Sequence, residues 1–145
     1  MPNDGQPLSV AGAATKAPAF PPGTRVVVAE DDRVSQAVLT LILQKLGLEV
    51  HVAVNGLIAV ELVRELRPDF VMMDMQMPEM DGTEAIRTLR TDLGGPQPPV
   101  IVLSANVLSE QRIADLKALG VCDFLIKPVN RARLFASLAR LAPKA

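Results

Sequence analysis

Four short apolar runs in the sequence end abruptly on residues that could do chemistry. Arg25-Val26-Val27-Val28-Ala29 runs into Glu30-Asp31-Asp32, and Phe70-Val71-Met72-Met73 into Asp74. Val100-Ile101-Val102-Leu103 runs into Ser104-Ala105, and Asp123-Phe124-Leu125-Ile126 into Lys127-Pro128. A carboxylate at the end of a buried run loses solvation unless a neighbour needs its charge. Carboxylates gathered from separate runs repel one another unless a cation sits between them. No histidine or cysteine stands among these residues, so the donors are all hard oxygens, which suits Mg²⁺. A hydroxyl and a lysine opposite them suit a phosphoryl group, the lysine acting as a compact point charge. Asp74 would then need its charge to hold a metal ion and to attack phosphorus.

That chemistry requires a fold that gathers the ends of separate runs. Residues 25–30, 70–73 and 100–105 are short and aliphatic, as strands buried on both faces are. Residues 48–54, followed by the turn pair Asn55-Gly56, and residues 123–126 complete a set of five strands. Segments with helical spacing lie between them: 34–47, stopping at Gly47; 57–67, ended by Pro68; then 82–92, 108–120 and 130–141. The stretch "LGGPQPP" reads as a loop. Strand and helix thus alternate five times, which predicts an α/β fold: a doubly wound, five-stranded parallel sheet with helices on both faces. In open sheets of this kind ligands sit at the carboxyl ends of the strands, where Glu30, Asp31, Asp74, Ser104 and Lys127 all fall.

A chain of 145 residues suffices for one domain with a sizeable core, and without Trp or Tyr that core must be aliphatic. Residues 1–99 hold 13 acids and 8 bases; residues 100–145 hold 3 acids and 7 bases. That division argues against one broad basic face, and so against a nucleic-acid binder. The single Cys122 cannot form an internal disulfide, which fits a reducing compartment. No apolar run approaches the ~18 residues of a membrane span. The N-terminus, with Asp4 ahead of any base, does not read as a signal peptide. A cytoplasmic location with no membrane contact is expected. Residues 1–24, rich in Pro and Ala, have the composition of a flexible tail or linker.

"VVVAEDDRVSQ", "DFVMMDMQMPEMDG", "VIVLSAN" and "DFLIKPV" together resemble the receiver domain of two-component response regulators, in the flavour found in or split from hybrid histidine kinases. Each motif alone is weak; all of them, in order and at these spacings, are specific. The resemblance spans residues 25–141, leaving 142–145 as a C-terminal tail. It implies a flavodoxin-like (βα)5 fold and transfer of a phosphoryl group from a phosphohistidine to Asp74. It implies that Glu30 and Asp31 bind Mg²⁺, or Mn²⁺ in its place, together with the Asp74 carboxylate and the backbone carbonyl of Gln76. Asp32 would be the bystander of the acidic triplet. Ser104 and Phe124 take the switch positions, and Lys127 meets a phosphoryl oxygen, with a cis bond to Pro128. The aromatic switch residue is often Tyr, so Phe124 lacks a hydroxyl to offer a partner. The implied partners are a histidine kinase or a histidine phosphotransfer protein, with homodimer formation also open.

Such a protein catalyses only its own phosphorylation and dephosphorylation and is not otherwise an enzyme. Only Ala-Pro-Lys-Ala follows Leu141, so output is expected through protein contacts at the surface of helix 4, strand 5 and helix 5, or through phosphorelay. Three alternatives stand beside this: a receiver cut from a longer hybrid kinase, a scaffold that never takes phosphate, and an aspartyl phosphohydrolase. The intact acidic and lysine set argues against the scaffold. The phosphohydrolase would carry a second acid where Gln76 stands. Gln76 and Asn106 should also flank the approach of the water that hydrolyses the acylphosphate, and so set its lifetime.

Other residues have plainer readings. Met72, Met73, Met75, Met77 and Met80 could suggest a soft-metal track, but Met is a common core filler. His51 reads as structural or surface, Cys122 as a small core residue, and Arg131, Arg133 and Arg140 as a solvated helix face. The first helix is less plain. Val34, Ala37, Val38, Leu39, Leu41, Ile42, Leu43 and Leu46 cover more of its circumference than a core-facing stripe needs. One apolar flank should therefore face solvent or a partner.

Overall fold

Val26 and Val28 bury on one face of the sheet and Val27 and Ala29 on the other, as the two-residue period of a strand requires. Phe70 and Met72 alternate with Val71 and Met73 in the same way, and so do Ile101 and Leu103 with Val100 and Val102. The structure, a computed structural model, describes residues 17–92, 94–95 and 97–142. The strands are β1 (Arg25–Ala29), β2 (Glu49–Ala53), β3 (Phe70–Asp74), β4 (Val100–Ser104) and β5 (Val121–Ile126). Between and after them come α1 (Arg33–Lys45), α2 (Gly56–Leu66), α3 (Gly82–Asp92), α4 (Glu110–Ala118) and α5 (Arg131–Ala139).

All strand pairs are parallel, in the order β2-β1-β3-β4-β5. The buried residues of α2, α3 and α4 pack on one face, including Val63, Ile86 and Leu116. Those of α1 and α5, Leu39, Leu43, Leu134 and Leu138, cover the other. This is the predicted flavodoxin-like doubly wound sheet. The strand order reverses between β1 and β3, and a crevice opens at such a switch point. The register pairs Ala29 with Met73, Asp74 with Leu103 and Ser104 with Ile126. The chemistry-bearing strand ends therefore finish at one level.

The helices start on side-chain caps. Asp32, Asn55, Ser109 and Asn130 each accept a hydrogen bond from a backbone N–H of the first turn of α1, α2, α4 and α5. Before β1, Phe20 stacks on Phe70 with ring centroids 5.9 Å apart. Residues 1–16 of the expected tail, and residues 143–145, lie outside the described residues.

Two expectations change. Cys122 is exposed, not a core residue. The β4–β5 register shifts between Val100↔Val121 and Ile101↔Asp123, so Cys122 has no opposite number in the ladder of this edge strand. β5 also begins at Val121 rather than Asp123. Met72, Met73, Met75 and Met77 are buried and fill the core. Val34, Val38 and Leu41 are exposed on α1, at 71%, 49% and 55%, while Leu39 and Leu43 face the sheet. The apolar arc of α1 therefore does exceed its buried stripe.

Candidate functional site

The Lys127 ammonium stands between two buried carboxylates. Its Nζ lies 2.9 Å from Glu30 Oε1 and 3.2 Å from Asp74 Oδ2. Glu30 is 0% and Asp74 3% exposed. Asp31 is exposed, yet it, Glu30 and Asp74 each offer a carboxylate oxygen within 4.8 Å of the others. Two of the three carboxylates pair with the one ammonium, leaving the cluster a surplus of two negative charges if all are ionised. Burial pushes the Glu30 carboxyl above its ordinary value, against the pull of Lys127. For Lys127, burial alone would lower the ammonium, but its bonds to Glu30 and Asp74 outweigh that and the net direction is upward. Lys127 therefore stays charged.

Local backbone geometry aims these groups. The Asp32 N–H donates to Glu30 Oε2 at 3.1 Å, and the Gln36 side-chain amide donates to the Glu30 carbonyl at 2.6 Å. The Gln76 N–H donates to Asp74 Oδ1 at 3.1 Å. Glu30 Oε1 has the Lys127 ammonium as its partner. The oxygen-only donor set, two buried carboxylates and one exposed, carries surplus charge and fits a hard divalent cation such as Mg²⁺.

The structure brings together Glu30, Asp31, Asp74 and Lys127 as the sequence predicts. Gln76 and Asn106 lie exposed on the two loops beside them. Ser104 is buried, but its hydroxyl turns into its own loop, donating to the Asn106 carbonyl at 2.7 Å. Phe124 is half-buried against the core layer of α2–α4. The Lys127–Pro128 peptide is cis. Asp32 is more than a bystander. Its carboxylate accepts from the Ser35 N–H at 2.8 Å and caps α1, and bonds from the Ser35 amide and hydroxyl hold its pKa below the ordinary value. The sequence carried that signal, an Asp just ahead of a helical run. Gln36 carried none; only the turn of α1 over the β1–α1 loop reveals its bond.

A doubly wound parallel sheet with an acidic, lysine-bearing pocket at its switch point defines the class: a flavodoxin-like α/β domain. Residues 26–139 match the response regulator receiver domain, and the chain belongs to that family, a component of two-component signalling. It is 37% identical over 117 residues to the response regulator MprA of Mycobacterium sp. (strain KMS), covering 81% of this chain and 50% of that one. It is 35% identical over 118 residues to the DNA-binding response regulator MtrA of Mycobacterium leprae (strain TN), covering 81% and 51%. The chain thus spans about half the length of the curated relatives it matches. MtrA carries DNA binding in its name, so the expectation that nucleic acid plays no part gains no support. A solved structure, the receiver domain of the sensor histidine kinase PA1611 of Pseudomonas aeruginosa PAO1, superposes with a TM-score of 0.72 at 36% identity, covering 82% of this chain and 97% of that one. That structure holds a magnesium ion in its active-site cleft. No helix among the described residues is long and apolar enough to cross a membrane.

Proposed function

We propose that this receiver takes a phosphoryl group from a phosphohistidine onto Asp74. The observation that carries the proposal is the Lys127 ammonium held at 2.9 and 3.2 Å from the buried Glu30 and Asp74 carboxylates, with Asp31 completing the cluster. An Asp74 carboxylate oxygen attacks phosphorus in line, the O–P bond forms as the P–N bond breaks, and the imidazole leaves with the bonding pair. Positioning and charge neutralisation supply the catalysis. Glu30, Asp31, Asp74 and the Gln76 carbonyl would hold Mg²⁺, which supplies neutralisation of phosphoryl oxygens when bound. Lys127 neutralises on the other side. The Ser104 hydroxyl must leave the Asn106 carbonyl to reach a phosphoryl oxygen, and that move frees space for Phe124 to turn inward.

The donor reaches Asp74 across α1. A cleft of about 140 Å³, lined in part by Glu30, Val34, Val38, Lys127, Pro128 and Val129, opens there beside the exposed apolar flank of the helix. A helix bearing the phosphohistidine would seat apolar side chains in it, as expected for a histidine kinase or histidine phosphotransfer protein. Output passes through protein contact or onward relay.

Mass spectrometry after incubation with a small phosphodonor and Mg²⁺ tests the reading. The native protein should gain one phosphoryl group and Asp74→Asn none. A native protein that gains none, or a variant modified equally, would sink it. Gln76 and Asn106 flank the attacking water on this reading. Asn106→Glu should therefore hasten decay of the phosphorylated form after donor removal, and an unchanged decay would remove Asn106 from that role.

A further inference from the structure

The corner between β2 and α2 joins the two loops that carry the acidic cluster. The Glu30 N–H donates to the Ala53 carbonyl at 2.9 Å. Three residues on, the Gly56 N–H donates to the Met80 carbonyl at 3.1 Å, in the β3–α3 loop that follows Asp74 and Gln76. Asn55, between them, caps α2 with its side-chain oxygen and donates from its side-chain nitrogen to Glu79 Oε1 at 3.4 Å. Glu79 has a φ of 69°, a left-handed conformation that a non-glycine residue keeps only when its surroundings hold it there.

The fit at Gly56 is too close for any other residue. A Cβ there would stand 2.2 Å from the Met80 carbonyl oxygen and 2.9 Å from the carbonyl carbon. Both obstacles are backbone, so a side chain can be admitted only by moving the β3–α3 loop or the first turn of α2 against it. That loop has little freedom to move. Met77 is buried beneath it, and the Gly82 N–H returns to the Met75 carbonyl at 3.3 Å.

We propose that Gly56 is a positioning residue for the metal and phosphoryl site, acting through the Met80 carbonyl to set where the β3–α3 loop places the Gln76 carbonyl relative to Glu30 and Asp31. This rests on the reading that Glu30, Asp31, Asp74 and Gln76 bind Mg²⁺. Gly56 is one of several glycines of the chain, and by composition nothing marks it. Gly94, by contrast, would have nothing within 4 Å of an added Cβ. Removing partners that orient metal ligands typically weakens metal binding by about 10–100-fold.

The experiment compares the native protein with Gly56→Ala and with Val63→Ala, a cavity-forming change at a buried site of the same helix. Calorimetry gives the Mg²⁺ affinity, and hydrogen exchange of the metal-free proteins gives the protection of amides 75–82. Gly56→Ala should weaken Mg²⁺ binding about tenfold or more and hasten exchange in 75–82. Val63→Ala should lower stability and leave both unchanged. Equal losses of Mg²⁺ affinity in the two variants, or native affinity in Gly56→Ala, would overturn the proposal. Should Gly56→Ala not fold, the native protein still decides. Its Gly56 amide must be protected without metal, and exchange there as free as at Gly94 overturns the brace. A native protein that binds no Mg²⁺ refutes the metal reading, while the exchange data judge the clasp between Gly56 and Met80 separately.

Discussion

At the amino end of the sheet, Arg25 meets Glu49 at 2.9 Å, and His51 meets the same carboxylate at 2.6 Å. Arg64 pairs with Asp92, and the Asp69 carboxylate accepts the Arg25 N–H. Arg90, half-buried, donates to the Leu119 carbonyl and to Gln97. Phe20 closes over Phe70 beside these charges. At the carboxyl end, Glu30 and Asp74 are buried with Asp31 near them, and Lys127 is the ammonium they share. One end pairs its charges and leaves most of them open to water, where each pair contributes little. The other concentrates like charges out of water, which costs stability until a cation arrives. Stability and chemistry are thus assigned to opposite ends of the same strands.

The largest test of that division acts on the amino end. Phe70→Ala removes a fully buried ring and should cost about 3–5 kcal/mol in urea unfolding, while the Mg²⁺ affinity of the folded protein stays native. A large loss of affinity would mean the two ends are not separable. Next comes the ion itself. Mg²⁺ at one hundred times its dissociation constant should stabilise the protein by about 2.7 kcal/mol, and chelation should reverse the gain. Asp31→Asn should fold normally, show no such gain and take no phosphate. If Asp31→Asn behaves as native, Asp31 does not belong to the cluster.

Without metal, Asp74→Asn should be more stable than the native protein by on the order of 1 kcal/mol, because one of three crowded charges is gone. Thermal unfolding in a chelator checks this, and a destabilised variant would show that Lys127 already balances the cluster. The smallest effect separates the ends by sign. Burial raises the folded pKa of Glu30, so the folded state binds its proton more tightly than the unfolded chain does. Its penalty is relieved as pH falls through the folded value and is complete above it. Glu49 is lowered by its bond to His51. Its contribution is complete above the unfolded value and is lost as pH falls through the folded one. Glu30→Gln and Glu49→Gln should therefore change the acid-side slope of stability against pH in opposite directions. Slopes that change alike would refute the contrast.

The order of strands and helices was legible because each depends on a local period. Buried aliphatic runs of about five residues and helical stripes between them do not need a partner to be recognised. The acidic cluster was legible for a related reason. Its members all end strands, and a parallel sheet brings strand ends to one edge whatever the details of packing. Asp32 was legible as a cap, because an Asp just ahead of a helical run can accept from the first turn. Gln36 and Cys122 were not legible. The first bonds a carbonyl six residues away that only the path of α1 brings near, and the second depends on a register shift between two strands.

The sequence alone determined the alternation of elements, the parallel sheet, and the level at which Glu30, Asp31, Asp74, Ser104 and Lys127 must meet, because those follow from periodicity and from where apolar runs stop. The tertiary structure alone decided that the Lys127 ammonium sits between Glu30 and Asp74, that the Ser104 hydroxyl turns to Asn106, and that Val34, Val38 and Leu41 remain uncovered. It also decided that Gly56 meets the Met80 carbonyl too closely for a side chain. The Lys127 and Gly56 contacts are distances between residues far apart in the chain. Such distances are set by how whole layers pack and not by local propensity.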